Sequence, residues 1–354
     1  MKGTPLNTEQ PLRDDILELA ASVLIEGLCT SVMVPVRTSS GDYAWNLVKD
    51  PEKLTAADPI PPVMAVNGAK ALSSFAREGG DRSILAILRP CEARAAVELA
   101  KLEQLNLEQV IMLTADCPGA VPLRNWMKNR ELNPDRSDPA TLRPLCRQCS
   151  SFTGEGDLCA VDHGGRKLLV PITDRGSDLL AGLGLDTTES TSGWTDWVRR
   201  LKADVEKTAT SARADLKKAY SGLDGLVEVF SGCIGCRSCR TVCPVCYCRL
   251  CFIDMKDRRY PASDHLRRSE RAGASRLGSD TLLFHIGRMA HMSLSCVSCG
   301  MCEDACPSDI PVGRMVSLAS NSTTSLFGYR AGSDRAGPLP LNTFEKDELH
   351  DFED

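Results

Sequence analysis

The chain has no long uncharged apolar run: its nearest approach, residues 16–28, carries Glu18 and Glu26, where a membrane-spanning helix needs about 18 apolar residues in succession. Direct membrane insertion is therefore not expected. The opening stretch MKGTPLNTEQPLRDDILELA has no apolar core of the kind found in secretory signal peptides. Neither G-x-G-x-x-G nor a Walker sequence occurs, so a standard dinucleotide or nucleoside-triphosphate site has no support. Strong charge of one sign is also missing. Against 47 Asp and Glu stand 42 Lys and Arg, a net charge of -5, which makes nucleic acid a poor partner.

Cysteine is abundant instead, with 17 in 354 residues. Eight of them form two copies of one pattern, Cys233-x2-Cys236-x2-Cys239-x3-Cys243-Pro244 and Cys296-x2-Cys299-x2-Cys302-x3-Cys306-Pro307. This spacing suits 4Fe-4S cubes in the two-cluster ferredoxin arrangement, in which the last cysteine of each run serves the other cube. The assignment that follows is Cys233, Cys236, Cys239 and Cys306 for one cluster, and Cys296, Cys299, Cys302 and Cys243 for the other. Zinc held by four cysteines is the alternative, but zinc sites pair two short knuckles, and three cysteines at x2-x2 followed by x3 and proline fit the cube. Clusters need reduced thiolates, so a cytoplasmic setting is expected.

A ferredoxin-like part needs a larger companion in a chain of this length. Apolar residues at helical spacing behind Pro11 predict a helix over 11–26, followed by a strand at 31–36. Helices at 66–77 and 92–104 alternate with strands at 84–88, 110–113 and 167–172, which predicts an α/β domain with a mostly parallel sheet. Residues 115–165 lose the rhythm and read as a cysteine-containing loop. A charged helix over 194–220 links residues 1–225 to a C-terminal α+β two-cluster domain at 226–320. A further helix is expected at 280–293, running into Cys296. Residues 321–354, ending FEKDELHDFED, show no core face and read as a tail that docks on a partner or stays loose.

Nine cysteines remain. Cys117, Cys146, Cys149 and Cys159 share the irregular segment, and Cys146-Arg-Gln-Cys149 is a proper knuckle. Either a zinc ion or a third Fe-S cluster ties that loop together, or the thiols pack separately. Cys246, Cys248 and Cys251 follow the first run directly; they hold a further cluster or pack beside the cube. Arg89-Pro90-Cys91-Glu92-Ala93-Arg94 sits where strand gives way to helix, a place that receives phosphate or a flavin edge and lowers the pKa of Cys91, or where the cysteine simply packs. His285, Arg288 and His291 share a helical face, a pattern that is more often packed or solvated than functional. The basic segment Arg249, Lys256, Arg258, Arg259, Arg267, Arg268, Arg271 and Arg276 reads as a solvated face, or one meeting an acidic partner.

The stretches CIGCRSCRTVCPVCYCRLCFID and FHIGRMAHMSLSCVSCGMCEDACPSDIP resemble the ferredoxin part of formate-dehydrogenase-type β subunits in the coenzyme F-420 hydrogenase/dehydrogenase β-subunit family. PPVMAVNGAKALSSFA, ILRPCEARAAVELAK and VIMLTADCPGAV follow that family's order of segments, so the resemblance covers most of residues 30–320. It implies FAD beside 4Fe-4S clusters. It also implies a catalytic formate dehydrogenase or hydrogenase subunit, or heterodisulfide-reductase-like subunits, as partners. By the same resemblance Asn67, Cys91, Glu92 and Arg94 line the flavin pocket. The family's turn commonly reads Gly-Thr-Pro-Cys-Gln; here Pro90 and Cys91 are kept, with Leu88, Arg89 and Glu92 around them.

Overall fold

The computed structural model of the chain describes residues 1–76, 82–248, 251, 262–273 and 280–340. The N-terminal region contains β1 (Lys2–Pro5), α1 (Leu12–Ile25), β2 (Ser31–Arg37), β3 (Tyr43–Val48), α2 (Gly68–Phe75), β4 (Ile84–Ile87), α3 (Pro90–Lys101) and β5 (Val110–Ala115). Then come α4 (Leu123–Lys128), α5 (Pro144–Arg147), β6 (Leu158–His163), β7 (Arg166–Pro171), α6 (Asp174–Gly182), β8 (Glu189–Ser190) and the long α7 (Ser192–Ala219). Beyond it lie α8 (Gly222–Phe230), α9 (Ser238–Thr241), α10 (Ala262–Ala272), α11 (Thr281–Met292), α12 (Met301–Asp304) and α13 (Val312–Phe327).

The eight strands form one sheet in the order β3-β2-β4-β5-β6-β7-β1-β8. The sheet is mixed rather than mostly parallel. Pairs β2-β4, β4-β5 and β5-β6 run parallel, whereas β2-β3, β6-β7, β1-β7 and β1-β8 run antiparallel. Crossover segments make the parallel pairs, and short turns make the hairpins. Gly164 and Gly165 alone join β6 to β7, both at positive φ (62° and 77°), the backbone that a two-residue hairpin turn requires.

Alternation along the strands separates two cores. Leu85 and Ile87 of β4 join Leu113 beneath α1 and α6, where Ile16, Val23 and Leu180 are fully buried. Ile84 and Ala86 face the other way with Met33 and Met112, against Leu72 of α2 and Ala93 and Ala96 of α3. Helices thus cover both faces. A third core, formed by Phe230, Phe284, Ile310, Met315 and Val316, builds the C-terminal region from α8, α11 and α13.

The two regions are bolted together at α12. Arg143 and Asp304 form an ion pair at 2.7 Å, both side chains almost wholly buried, and Asp304 also accepts from the Leu123 backbone N–H. Arg124 donates to the Cys306 carbonyl at 2.8 Å. Residues 321–327, expected as tail, complete α13 instead. The segment after it folds back onto α3: Arg94 Nε donates to the Ala331 carbonyl, and Glu98 accepts from Gly332 N–H. Buried Arg94 and Glu98 need these partners, which gives the segment its docking face. The acidic stretch 341–354, the expected end of a helix at 77 and most of the basic segment, with Arg249, Lys256, Arg258, Arg259 and Arg276, lie outside the described residues.

Candidate metal centres

The two cysteine runs adopt the same backbone. In the first, Gly235 and Arg237 flank Cys236 at φ 68° and 60°; in the second, Ser298 and Gly300 flank Cys299 at 57° and 78°. Left-handed residues at matching positions curl each run around its sulfurs, and α9 and α12 then begin one residue later. Gly235 N–H points to Cys233 Sγ at 3.5 Å, and Ser298 N–H does the same for Cys296. A non-glycine residue in this region costs roughly 1–2 kcal/mol, so the same strained curl is built in both runs, at Arg237 and at Ser298.

The sulfurs gather across the runs. Cys239 lies with Cys233, Cys236 and Cys306, while Cys302 lies with Cys243, Cys299 and Cys296. Around the second set is a cavity with about 390 Å³ of empty space, lined by Cys243, Cys296, Cys299, Cys302, Leu145 and Arg288. Desolvation pushes the Cys239 thiol up to about 11, against the lowering pull of Arg288. Cys299 rises to about 12 for the same first reason, reinforced by Cys243. Such thiols release their protons when iron supplies the compensating charge. All seventeen cysteines are free of disulfides.

A third group lies in the N-terminal region, and its membership differs from the sequence expectation. Cys91 sits near Cys117 and Cys149, and Cys146 near the same two. Cys159 is elsewhere. As a β6 residue it shares a face with Val161, packs toward Trp194 and Val170, and exchanges a hydrogen bond with the Thr153 hydroxyl at 3.6 Å. Cys91 instead comes in beside the loop cysteines from another element, the first turn of α3. Its thiol is pushed well up rather than down, because desolvation, followed by Glu92 and the neighbouring cysteines, outweighs the helix dipole. Arginines surround the group: Arg89 Nη1 donates to Cys117 Sγ at 3.3 Å, and Arg143 acts on Cys146. Among the described residues no three or more His, Cys, Asp or Glu side chains are drawn together tightly enough for a single ion. A cube takes its thiolates on separate irons and spreads them further.

Cys91 also neighbours Cys299 of the second run, and Leu145, beside Cys146, forms part of the wall of that run's cavity. Three sulfur groups therefore follow one another from the C-terminal rim into the α/β region.

The residues expected to line a flavin are committed elsewhere. Asn67 caps α2 by accepting from Ala69 N–H. Glu92 accepts from Gly68 N–H at 2.7 Å and Arg89 N–H at 2.9 Å, and Arg94 holds Ala331. Arg89 donates to the carbonyls of Pro61 and Gly119, filling the turn that a cofactor would approach. The space beside it, walled by Trp45, Met64 and Val66, is small. Asn67, Glu92 and Arg94 are thus engaged with the protein's own backbone.

His285 and Arg288, which sequence reasoning left as ordinary helix residues, are buried beside the sulfurs, whereas His291 is exposed. His285 stacks on Phe230 with ring centroids 3.9 Å apart and meets Cys233 Sγ at 3.3 Å. Burial, then Arg288, pushes its pKa down to about 4. Their i, i+3 spacing on a helix leading into Cys296 was the available signal. Cys246 lies close to Cys243 and Cys251, and Cys248 is exposed.

Residues 229–310 match the 4Fe-4S dicluster domain family. The C-terminal region is a 4Fe-4S dicluster domain. The chain is similar to the F420-dependent formate dehydrogenase subunit beta of Methanocaldococcus jannaschii, 26% identical over 75% of this chain and 78% of the relative. The F420-dependent formate dehydrogenase 1 subunit beta of Methanococcus maripaludis is 27% identical over 74% of this chain and 76% of the relative. A chain from a xenon-derivatized F420-reducing [NiFe] hydrogenase complex of Methanosarcina barkeri aligns with 15% identity and a TM-score of 0.44, covering 59% of this chain and 86% of that one. That likeness is too loose to carry an argument. No helix among the described residues is long and apolar enough to cross a membrane.

Proposed function

We propose that the chain is an iron-sulfur relay subunit of a multi-subunit oxidoreductase, working beside a formate dehydrogenase-type or hydrogenase-type catalytic subunit. The observation that carries this reading is the succession of three cysteine groups across the α12 seam. Cys233, Cys236, Cys239 and Cys306 hold the outer cluster; Cys243, Cys296, Cys299 and Cys302 hold the inner one. Cys91, Cys117, Cys146 and Cys149 hold a third, with Arg89, Arg136 and Arg143 offsetting its negative charge. Each cluster carries one electron at a time. The chain's own residues supply desolvation, the backbone N–H groups that steady the sulfurs, and a rigid seam that fixes the spacing.

The names of the two curated relatives support a complex that acts on formate, and heterodisulfide-reductase-like subunits are a further class of acceptor for the same electrons. No step is assigned to a flavin on Asn67, Cys91, Glu92 and Arg94. The test is an acid release of cofactors from anaerobically prepared protein, with iron, sulfide, zinc and flavin assayed together. About twelve irons per chain are expected for three cubes, and about eight would remove the third. Zinc would turn the third group into a structural site. Stoichiometric flavin would put a two-electron site on this chain, on other residues.

A further inference from the structure

We propose that Arg288 is an unneutralised cation built between the two clusters of the dicluster domain, and that it raises their reduction potentials, the inner cluster's most. The inference rests on the cluster reading above and concerns what the protein adds to it.

Arg288 lies on α11 and is 3% exposed. Its Nε and Nη1 have no hydrogen-bond partner, and among the described residues it forms no ion pair with a carboxylate. A buried guanidinium left so is costly unless something opposite in charge occupies the space before it. That space is the cavity walled by Cys243, Cys296, Cys299 and Cys302, to which Arg288 itself contributes. Sulfurs of both sets act on it, Cys302 first, then Cys239, Cys243 and Cys246. One turn earlier on the same face, His285 reaches Cys233 of the outer set, so α11 spans both. Proximity of an arginine to thiolates also serves assembly, because four cysteinates in one pocket repel one another.

Reducing a cube by one electron adds one negative charge to it. A fixed cation alongside favours that reduced form, and net charge and hydrogen bonding at the sulfurs are the levers by which a protein sets such potentials. Arginine keeps its charge at every working pH. Electrons are thereby drawn toward the inner cluster, the one that abuts the α/β region.

The test is a potentiometric titration followed by EPR on the loaded full chain, comparing wild type with Arg288→Gln and Arg288→Lys. Arg288→Gln should lower the ratio of reduced to oxidised inner cluster about tenfold at a fixed potential, roughly 59 mV for a one-electron couple. The outer cluster should move less, and Arg288→Lys should restore most of the shift. A wild-type midpoint in Arg288→Gln at full iron content overturns the proposal. Should Arg288→Gln fail to take up iron while Arg288→Lys loads normally, the positive charge is what the clusters need, which supports it. Failure of both to load makes Arg288 a packing residue and overturns it. A chain that never carries two clusters even as wild type fails the reading beneath, and iron analysis of the wild type separates that case.

Discussion

The two cysteine runs share spacing and backbone but not surroundings. Cys236 and Ile234 of the first are exposed, Ile234 by 71%. In the second, Val297, the counterpart of Ile234, is 4% exposed, and Met301, the counterpart of the half-buried Ser238, 3%. The second run also packs against the core beneath α2 and α3 through Val297 and Cys299. Loops of one backbone thus end up in two settings: the first lies open to solvent, and the second is sealed against the α/β region. The difference lies in the residues between the cysteines, not in the cysteines.

This contrast can be broken by substitution. Cys302→Ser should cost about four irons per chain and loosen the seam, since its loop carries Asp304; Cys236→Ser should cost the same iron while leaving the seam intact. Iron assay with limited proteolysis reads both, and equal seam loosening would erase the distinction. Arg143→Met strands Asp304 as a buried charge, with an expected loss of about 3–5 kcal/mol in urea unfolding of the loaded chain. Gly332→Ala is next: φ is +70° and a Cβ would stand 2.2 Å from the Arg94 carbonyl oxygen. About 1–3 kcal/mol is expected, seen as faster amide exchange in α3. Arg237→Gly should be nearly silent, within about 1 kcal/mol, because relief of the left-handed strain offsets the entropy of glycine. Ser298→Gly should be worse than Arg237→Gly, because Ser298 also bonds the Ser317 hydroxyl at 2.8 Å.

Much of the fold was legible where local pattern decides. The helix behind Pro11, the buried strand at Ile84 and the charged helix before Gly222 appear within a few residues of their expected bounds. The mixed sheet was missed because β3 lies in a stretch given no element and β6 in one that read as irregular, although His163-Gly164-Gly165-Arg166 carried the turn signal. Spacing picks out cysteines that are near in sequence, and Cys146, Cys149 and Cys117 do lie near one another in the structure. It cannot see Cys91, which arrives from α3, and it draws in Cys159 merely because the chain passes nearby. The burial of Arg288 was likewise invisible, since it depends on α11 being wedged between α8 and α13.

The proposed relay depends most on a third sulfur station built on Cys91 and continuous with the dicluster domain. Iron per chain in Cys91→Ser and Cys159→Ser, each compared with wild type under anaerobic reconstitution, tests it most directly. The account predicts a loss of about four irons in Cys91→Ser and none in Cys159→Ser. Loss in Cys159→Ser with full iron in Cys91→Ser, or full iron in both, would contradict it.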